Sequence, residues 1–181
     1  MAVESNFLNL GSGIIDFSLK GIDGNAHLPS DYKDKDVLVI MFICNHCPYV
    51  KAVTGRLVAL QEKFAGRGVQ FIAINSNDPE SYPEDSFENM KEFAAENNFN
   101  FPYLVDETQD IARKYDAQCT PDIYVYDKNR VLKYRGRIDD NWKEEDKVTS
   151  SELSDAIELL LEGKEIDFKQ IPSIGCSIKW K

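Results

Sequence analysis

Cys44-Asn45-His46-Cys47 holds the side chains of this 181-residue sequence best suited to chemistry. The four residues follow the apolar run Val37-Leu38-Val39-Ile40-Met41-Phe42-Ile43 and precede a helical pattern. Strand, C-x-x-C, helix is the order of a dithiol redox site. A cysteine at a helix N-terminus lies near unpaired backbone N–H groups and the positive end of the helix dipole, and both favour thiolate over thiol. The sequence therefore predicts Cys44 as the attacking nucleophile, with a depressed pKa. Cys47, about one helical turn away, is predicted to resolve the mixed disulfide. His46 can stabilise the Cys44 thiolate by hydrogen bonding or charge, which stabilises the reduced form and raises the reduction potential.

Metal binding is the competing chemistry. Structural zinc sites add a second Cys or His pair at similar spacing. Here Cys119 and Cys176 stand alone, and the other histidine, His27, lies upstream in a turn-like segment. A metal or iron-sulfur centre would have to gather Cys44, Cys47, Cys119 and Cys176 from distant parts of the chain. The dithiol itself needs no cofactor.

The elements around the motif alternate. Ile14–Leu19 and Ala26–Leu28 read as a hairpin turned by Gly21 to Asn25. Val37–Phe42 is a buried strand. From Pro48, the residues Val50, Val53, Leu57, Leu60 and Phe64 recur at helical spacing until Gly66. Pro48 suits a first helical turn, where its missing N–H costs least. A strand at Val69–Ile74, a helix on Phe87, Met90, Phe93 and Ala94, a strand at Phe101–Val105 and a helix over Thr108–Tyr115 follow. A hairpin, Ile123–Tyr126 with Val131–Gly136, and a helix on Leu153, Ala156, Ile157, Leu160 and Leu161 complete the pattern before an irregular tail from Ile171. Parallel strands with crossover helices imply a three-layer α/β/α sandwich.

Composition bounds the setting. The chain is 43% hydrophobic with a formal net charge of −10. That fits one globular domain over residues 1–181 and argues against nucleic-acid or anionic-membrane binding, which need clustered positive charge. The run Val37 to Cys44 is too short to span a bilayer, and Met1 to Asn6 lacks a signal pattern. With four cysteines, of which one pair has redox spacing, the expectation is a cytoplasmic protein.

Thr120-Pro121, just before the strand Ile123–Tyr126, completes a resemblance to the thioredoxin superfamily. There a cis-proline at the start of that strand faces the C-x-x-C helix. The resemblance implies a cis Thr120–Pro121 bond and an exposed Thr120 backbone beside Cys44, against which a substrate peptide or thiol aligns. Further strings are similar to the peroxiredoxin-like branch of that superfamily, related to AhpC/TSA proteins, called redoxins or probable thiol-disulfide isomerases. They are Met41 to Lys51, Asn75-Ser76-Asn77-Asp78-Pro79, Cys119 to Asp122, Arg135-Gly136-Arg137-Ile138-Asp139-Asp140 and Gly175 to Trp180. This likeness implies a thioredoxin-like sandwich with an N-terminal hairpin extension. It also implies dithiol exchange with protein or small-molecule thiols, an upstream thiol reductant, and a monomer or homodimer.

An antioxidant thiol peroxidase is the alternative. Peroxiredoxins carry P-x-x-x-T-x-x-C, whereas Cys47 is preceded by Cys44 and Ile40 at the threonine and proline positions, and Cys44 by Met41 and Val37. Neither register restores the motif, so slow peroxide turnover is expected. Thioredoxins also bury an acidic residue on the strand before the dithiol, and Val37 to Ile43 has none. Asp122 and Lys51 are the candidate substitutes. Asp78, Glu80, Glu84 and Asp85 read as a solvated acidic loop.

Overall fold

The computed structural model describes residues 2–6 and 10–181. Its strands are β1 (Ala2–Glu4), β2 (Leu19–Gly21), β3 (Ala26–His27), β4 (Val37–Phe42), β5 (Val69–Asn75), β6 (Tyr103–Val105), β7 (Cys119–Thr120), β8 (Asp122–Tyr126), β9 (Leu132–Arg135) and β10 (Ile174–Ser177). The α-helices are α1 (Pro48–Ala65), α2 (Phe87–Glu96), α3 (Asp110–Lys114) and α4 (Glu152–Leu161). Seven strands form the main sheet in the order β3-β2-β6-β5-β4-β8-β9. Strands β4, β5 and β6 run parallel, while β8, β9 and β2 pair antiparallel.

β4 is central and buried throughout, which is why it reads as an unbroken apolar run and not as an alternating one. Val37, Val39, Met41 and Ile43 pack with the apolar faces of α1, α2 and α4. Leu38, Ile40 and Phe42 face the other way, toward Phe17 and the Ile111, Ala112 and Tyr115 of the α3 segment. These are the three layers of the expected sandwich. Phe42 pairs with Ile74 on one side and Asp122 on the other. The chain leaving β4 therefore emerges beside the start of β8, and this register brings residue 44 to residue 120.

Three expectations need correction. The first strand of the N-terminal hairpin begins only at Leu19. Upstream of it, Gly13 makes an isolated bridge to Val131 and Phe17 is buried against the sheet. The helix predicted from Thr108 begins at Asp110, and Asp106 receives the Ile111 and Ala112 N–H groups at 3.4 and 2.9 Å. The tail is not irregular. β10 pairs with both β1 and β7 in a second, three-stranded sheet. Gly175 makes that possible, because a Cβ there would come within 2.0 Å of the Thr120 carbonyl oxygen. Among the described residues, no helix is long and apolar enough to cross a membrane.

Candidate active site

Cys44 lies just beyond β4, and Cys47 is the N-cap of α1. Proline at position 48 has no N–H to give and a φ ready for the helix, so the helix starts there and the dithiol precedes it. Both cysteines converge on Thr120. Cys44 Sγ is 3.3 Å from Thr120 Oγ1, and Cys47 Sγ as a thiol donates to the Thr120 carbonyl at 3.1 Å. The Thr120–Pro121 peptide is cis, as the resemblance implied. All four cysteines are free, and Cys44, Cys47 and Cys119 are each wholly enclosed, at 0% exposure.

The two neighbouring thiols act on each other in opposite senses. Cys47 is pulled below the ordinary thiol value, chiefly because Cys44 donates to it, with further help from Cys176 and the Val50 and Cys176 backbone N–H groups. Cys44 is pushed well up by that same bond, by burial and by the charge of Asp85, and only the Thr120 hydroxyl opposes this. These directions favour a thiolate on Cys47, where the sequence pointed to Cys44. Because α1 begins at Pro48, Cys47 is the residue that caps its N-terminus.

His46 lies near Cys44, with a ring nitrogen and the Cys44 sulfur within 4.8 Å. Its Nδ1 is 2.7 Å from Asp85 Oδ2, and its ring stacks on Tyr82 at 5.3 Å. Asp85 was read as part of a solvated loop, yet it is buried and organises the dithiol turn. It also accepts the Asn45 backbone N–H and the Asn77 side-chain amide, each at 2.7 Å. Tyr103 donates to Asn45 Oδ1 at 2.8 Å from beneath. Asp85 thus places a buried carboxylate beside the dithiol, where the strand before it carries none. Replacing it by Asn is expected to remove the repulsion on the Cys44 thiolate and move the Cys44 alkylation profile to lower pH, with about a several-fold faster reaction at neutrality. An unchanged profile would deny Asp85 this influence.

The remaining candidates fall away from the dithiol. Asp122 is buried in an ion pair with Arg135, at 3.0 Å, and also accepts the Gln118 N–H. Lys51 is exposed on α1. Cys119 directs its thiol to the Pro121 carbonyl at 3.4 Å, and burial raises its pKa. Cys176, in contrast, packs against the dithiol. Among the described residues, the metal-ligating side chains that converge are Cys44, His46 and Asp85, within 4.8 Å of one another, so the four-cysteine set does not form such a cluster.

A C-x-x-C turn facing a cis-proline, on this sheet, defines a thioredoxin-fold protein with a dithiol centre. The fold is shared with the thioredoxin domain of a thiol-disulfide oxidoreductase from Bacteroides vulgatus (TM-score 0.67, 17% identity, covering 85% of this chain and 99% of that one). Residues 10–135 match the model of the AhpC/TSA family, and the chain belongs to that family. It is 25% identical over 132 residues to the thiol-disulfide oxidoreductase ResA of Geobacillus thermodenitrificans (strain NG80-2), covering 72% of this chain and 70% of that protein. A crystal structure of an uncharacterized conserved protein from Geobacillus kaustophilus superposes with a TM-score of 0.94 at 49% identity, covering 100% of this chain and 97% of that one.

Proposed function

We propose that this protein is a thiol-disulfide oxidoreductase in which Cys44 and Cys47 alternate between dithiol and disulfide. The observation that carries the reading is the meeting of both sulfurs on Thr120, beside the cis peptide bond. The likeness to ResA supports the same reaction class. In the reducing direction the Cys47 thiolate attacks one sulfur of a protein disulfide, and the other sulfur leaves as a thiolate. Cys44 then gives up its proton, attacks the mixed disulfide at Cys47 and releases the second thiol. Two electrons have passed to the substrate, and an upstream thiol reductant reverses the internal disulfide.

Peroxide reduction is the weaker reading of the same site. The threonine of the peroxidase motif is missing before either cysteine.

The test is the redox equilibrium of the pair in glutathione buffers, read by alkylation and mass spectrometry. A reversible two-electron Cys44–Cys47 couple is expected. A midpoint near about −270 mV would mark a reductase and one above about −200 mV an oxidase or isomerase. If the two thiols do not pair in any buffer, the proposal fails.

A further inference from the structure

The Thr120 backbone was expected to lie open beside the dithiol. Instead the C-terminal strand covers it. β10 runs antiparallel to β7 with Cys176 opposite Thr120 and Ser177 opposite Cys119, and β1 flanks β10 on its other side. Thr120 is consequently 3% exposed. Gly175 presses against the Thr120 carbonyl at a distance that no side chain would allow. The strand is tied down at both ends. Ser173 N–H donates to Ser5 Oγ at 3.0 Å, and Lys179 N–H donates to Asn77 Oδ1 at 2.9 Å, on the same Asn77 that holds Asp85.

This register delivers a third thiol to the dithiol. Cys176 packs against the cluster that contains Cys44 and Cys47, and its register opposite Thr120 sets it against the residue whose carbonyl faces the Cys47 sulfur. Unlike the other three cysteines, it is only partly buried.

We propose that Cys176 is a third redox thiol, which exchanges with the Cys44–Cys47 disulfide to form a Cys47–Cys176 bond and lock β10 over Thr120. The inference rests on the dithiol reading above. The step is an internal exchange with no outside oxidant. Cys176 sulfur attacks Cys47 sulfur, the Cys44–Cys47 bond breaks, and the proton lost by Cys176 ends on Cys44, so that one disulfide and one thiol are present before and after. Cys44 is a suitable acceptor for that proton, because it is fully enclosed and lies beside the Asp85 carboxylate. The locked form stores the oxidising equivalent away from substrate. It also holds closed the edge that must open before a protein thiol can reach the pair.

Trypsin separates the possibilities, since Cys44 and Cys47 share the peptide Asp36 to Lys51 while Cys176 lies in Gln170 to Lys179. In one experiment, full-length wild-type protein carrying a preformed Cys44–Cys47 bond is desalted, incubated without glutathione, alkylated in acid and mapped without reduction. The cross-linked peptide pair is expected to appear as the free thiol moves from Cys176 to Cys44. In a second, Cys44→Ser is equilibrated with oxidised glutathione, and Cys47–Cys176 should exceed glutathionylated Cys47 by about tenfold, the advantage of a thiol held in place. Free thiol staying on Cys176 in the first experiment, or Cys47 capped by glutathione with Cys176 unmodified in the second, overturns the inference. Wild-type protein that forms no Cys44–Cys47 bond in glutathione buffers would instead overturn the dithiol reading itself.

Discussion

Cys44→Ser is expected to abolish disulfide turnover, by at least about 10³-fold, and yet to leave Cys47 as the thiol that alkylates at acid pH. Turnover fails because no second sulfur remains to close the internal disulfide. Acid reactivity survives because the Ser hydroxyl can still donate to the Cys47 sulfur, as the Cys44 thiol does in the native protein. Cys44→Ala removes that donor, so its Cys47 profile should move up toward the ordinary thiol value of about 8.5. In Cys47→Ser, Cys44 remains buried beside Asp85, and it should be nearly inert at neutral pH. The measurement is the pH dependence of alkylation at each cysteine in the three reduced variants, followed by mass spectrometry. Faster neutral alkylation of Cys44 in Cys47→Ser than of Cys47 in Cys44→Ser would restore Cys44 as the activated thiol.

The difference between the two sulfurs lies at the limit of sequence reading. The strand, the C-x-x-C turn and the helix were legible in local patterns of apolar spacing and turn chemistry, and the place of Thr120–Pro121 beside them in the family resemblance. The helix start was legible as well, since Pro48 suits a first turn and α1 begins there. The balance of charge between the two sulfurs was not, because it depends on Asp85 and Thr120, which come from distant segments. Asp85 was illegible for a different reason. It occupies an acidic loop like many solvated ones, and only the packing of that loop over the dithiol brings it to Asn45, forty positions earlier in sequence. β10 is too short for a periodicity signal and contains a glycine, so its strand character depends wholly on the partners β1 and β7. The residues that tune this site therefore come from segments with no signature of their own.

The largest expected effect on stability comes from the ion pair behind the cis-proline. Asp122 and Arg135 are both fully enclosed, at 0% side-chain exposure, and meet at 3.0 Å. Asp122 further accepts the Gln118 N–H at 3.0 Å and the Tyr124 hydroxyl at 3.2 Å. Arg135 also donates to the Asp116 carbonyl at 2.7 Å and lies over the Tyr124 ring at 4.5 Å. Arg135→Leu leaves a buried carboxylate without its counter-charge, and should cost about 3–5 kcal/mol, a fall in melting temperature on the order of 10 °C for a chain of this size. Asp122→Leu should cost a similar amount, and the double variant distinctly less than the two single losses together, because neither charge is then left alone. The sign of the pH dependence follows from burial. Desolvation already raises the Asp122 pKa despite Arg135, and losing Arg135 raises it further. The folded state then holds a proton that the unfolded chain releases, so the stability of Arg135→Leu is retained below the ordinary carboxylate value and falls as pH rises toward the raised folded one. Urea unfolding of wild type and variant at acid and neutral pH measures this directly. A deficit that does not change with pH, or single losses that simply add, would mean that the pair is not the source of the stability. Because Asp122 also fixes Gln118 at the entry to β7, loss of the pair should loosen Thr120 under the dithiol and slow exchange well before the fold is lost.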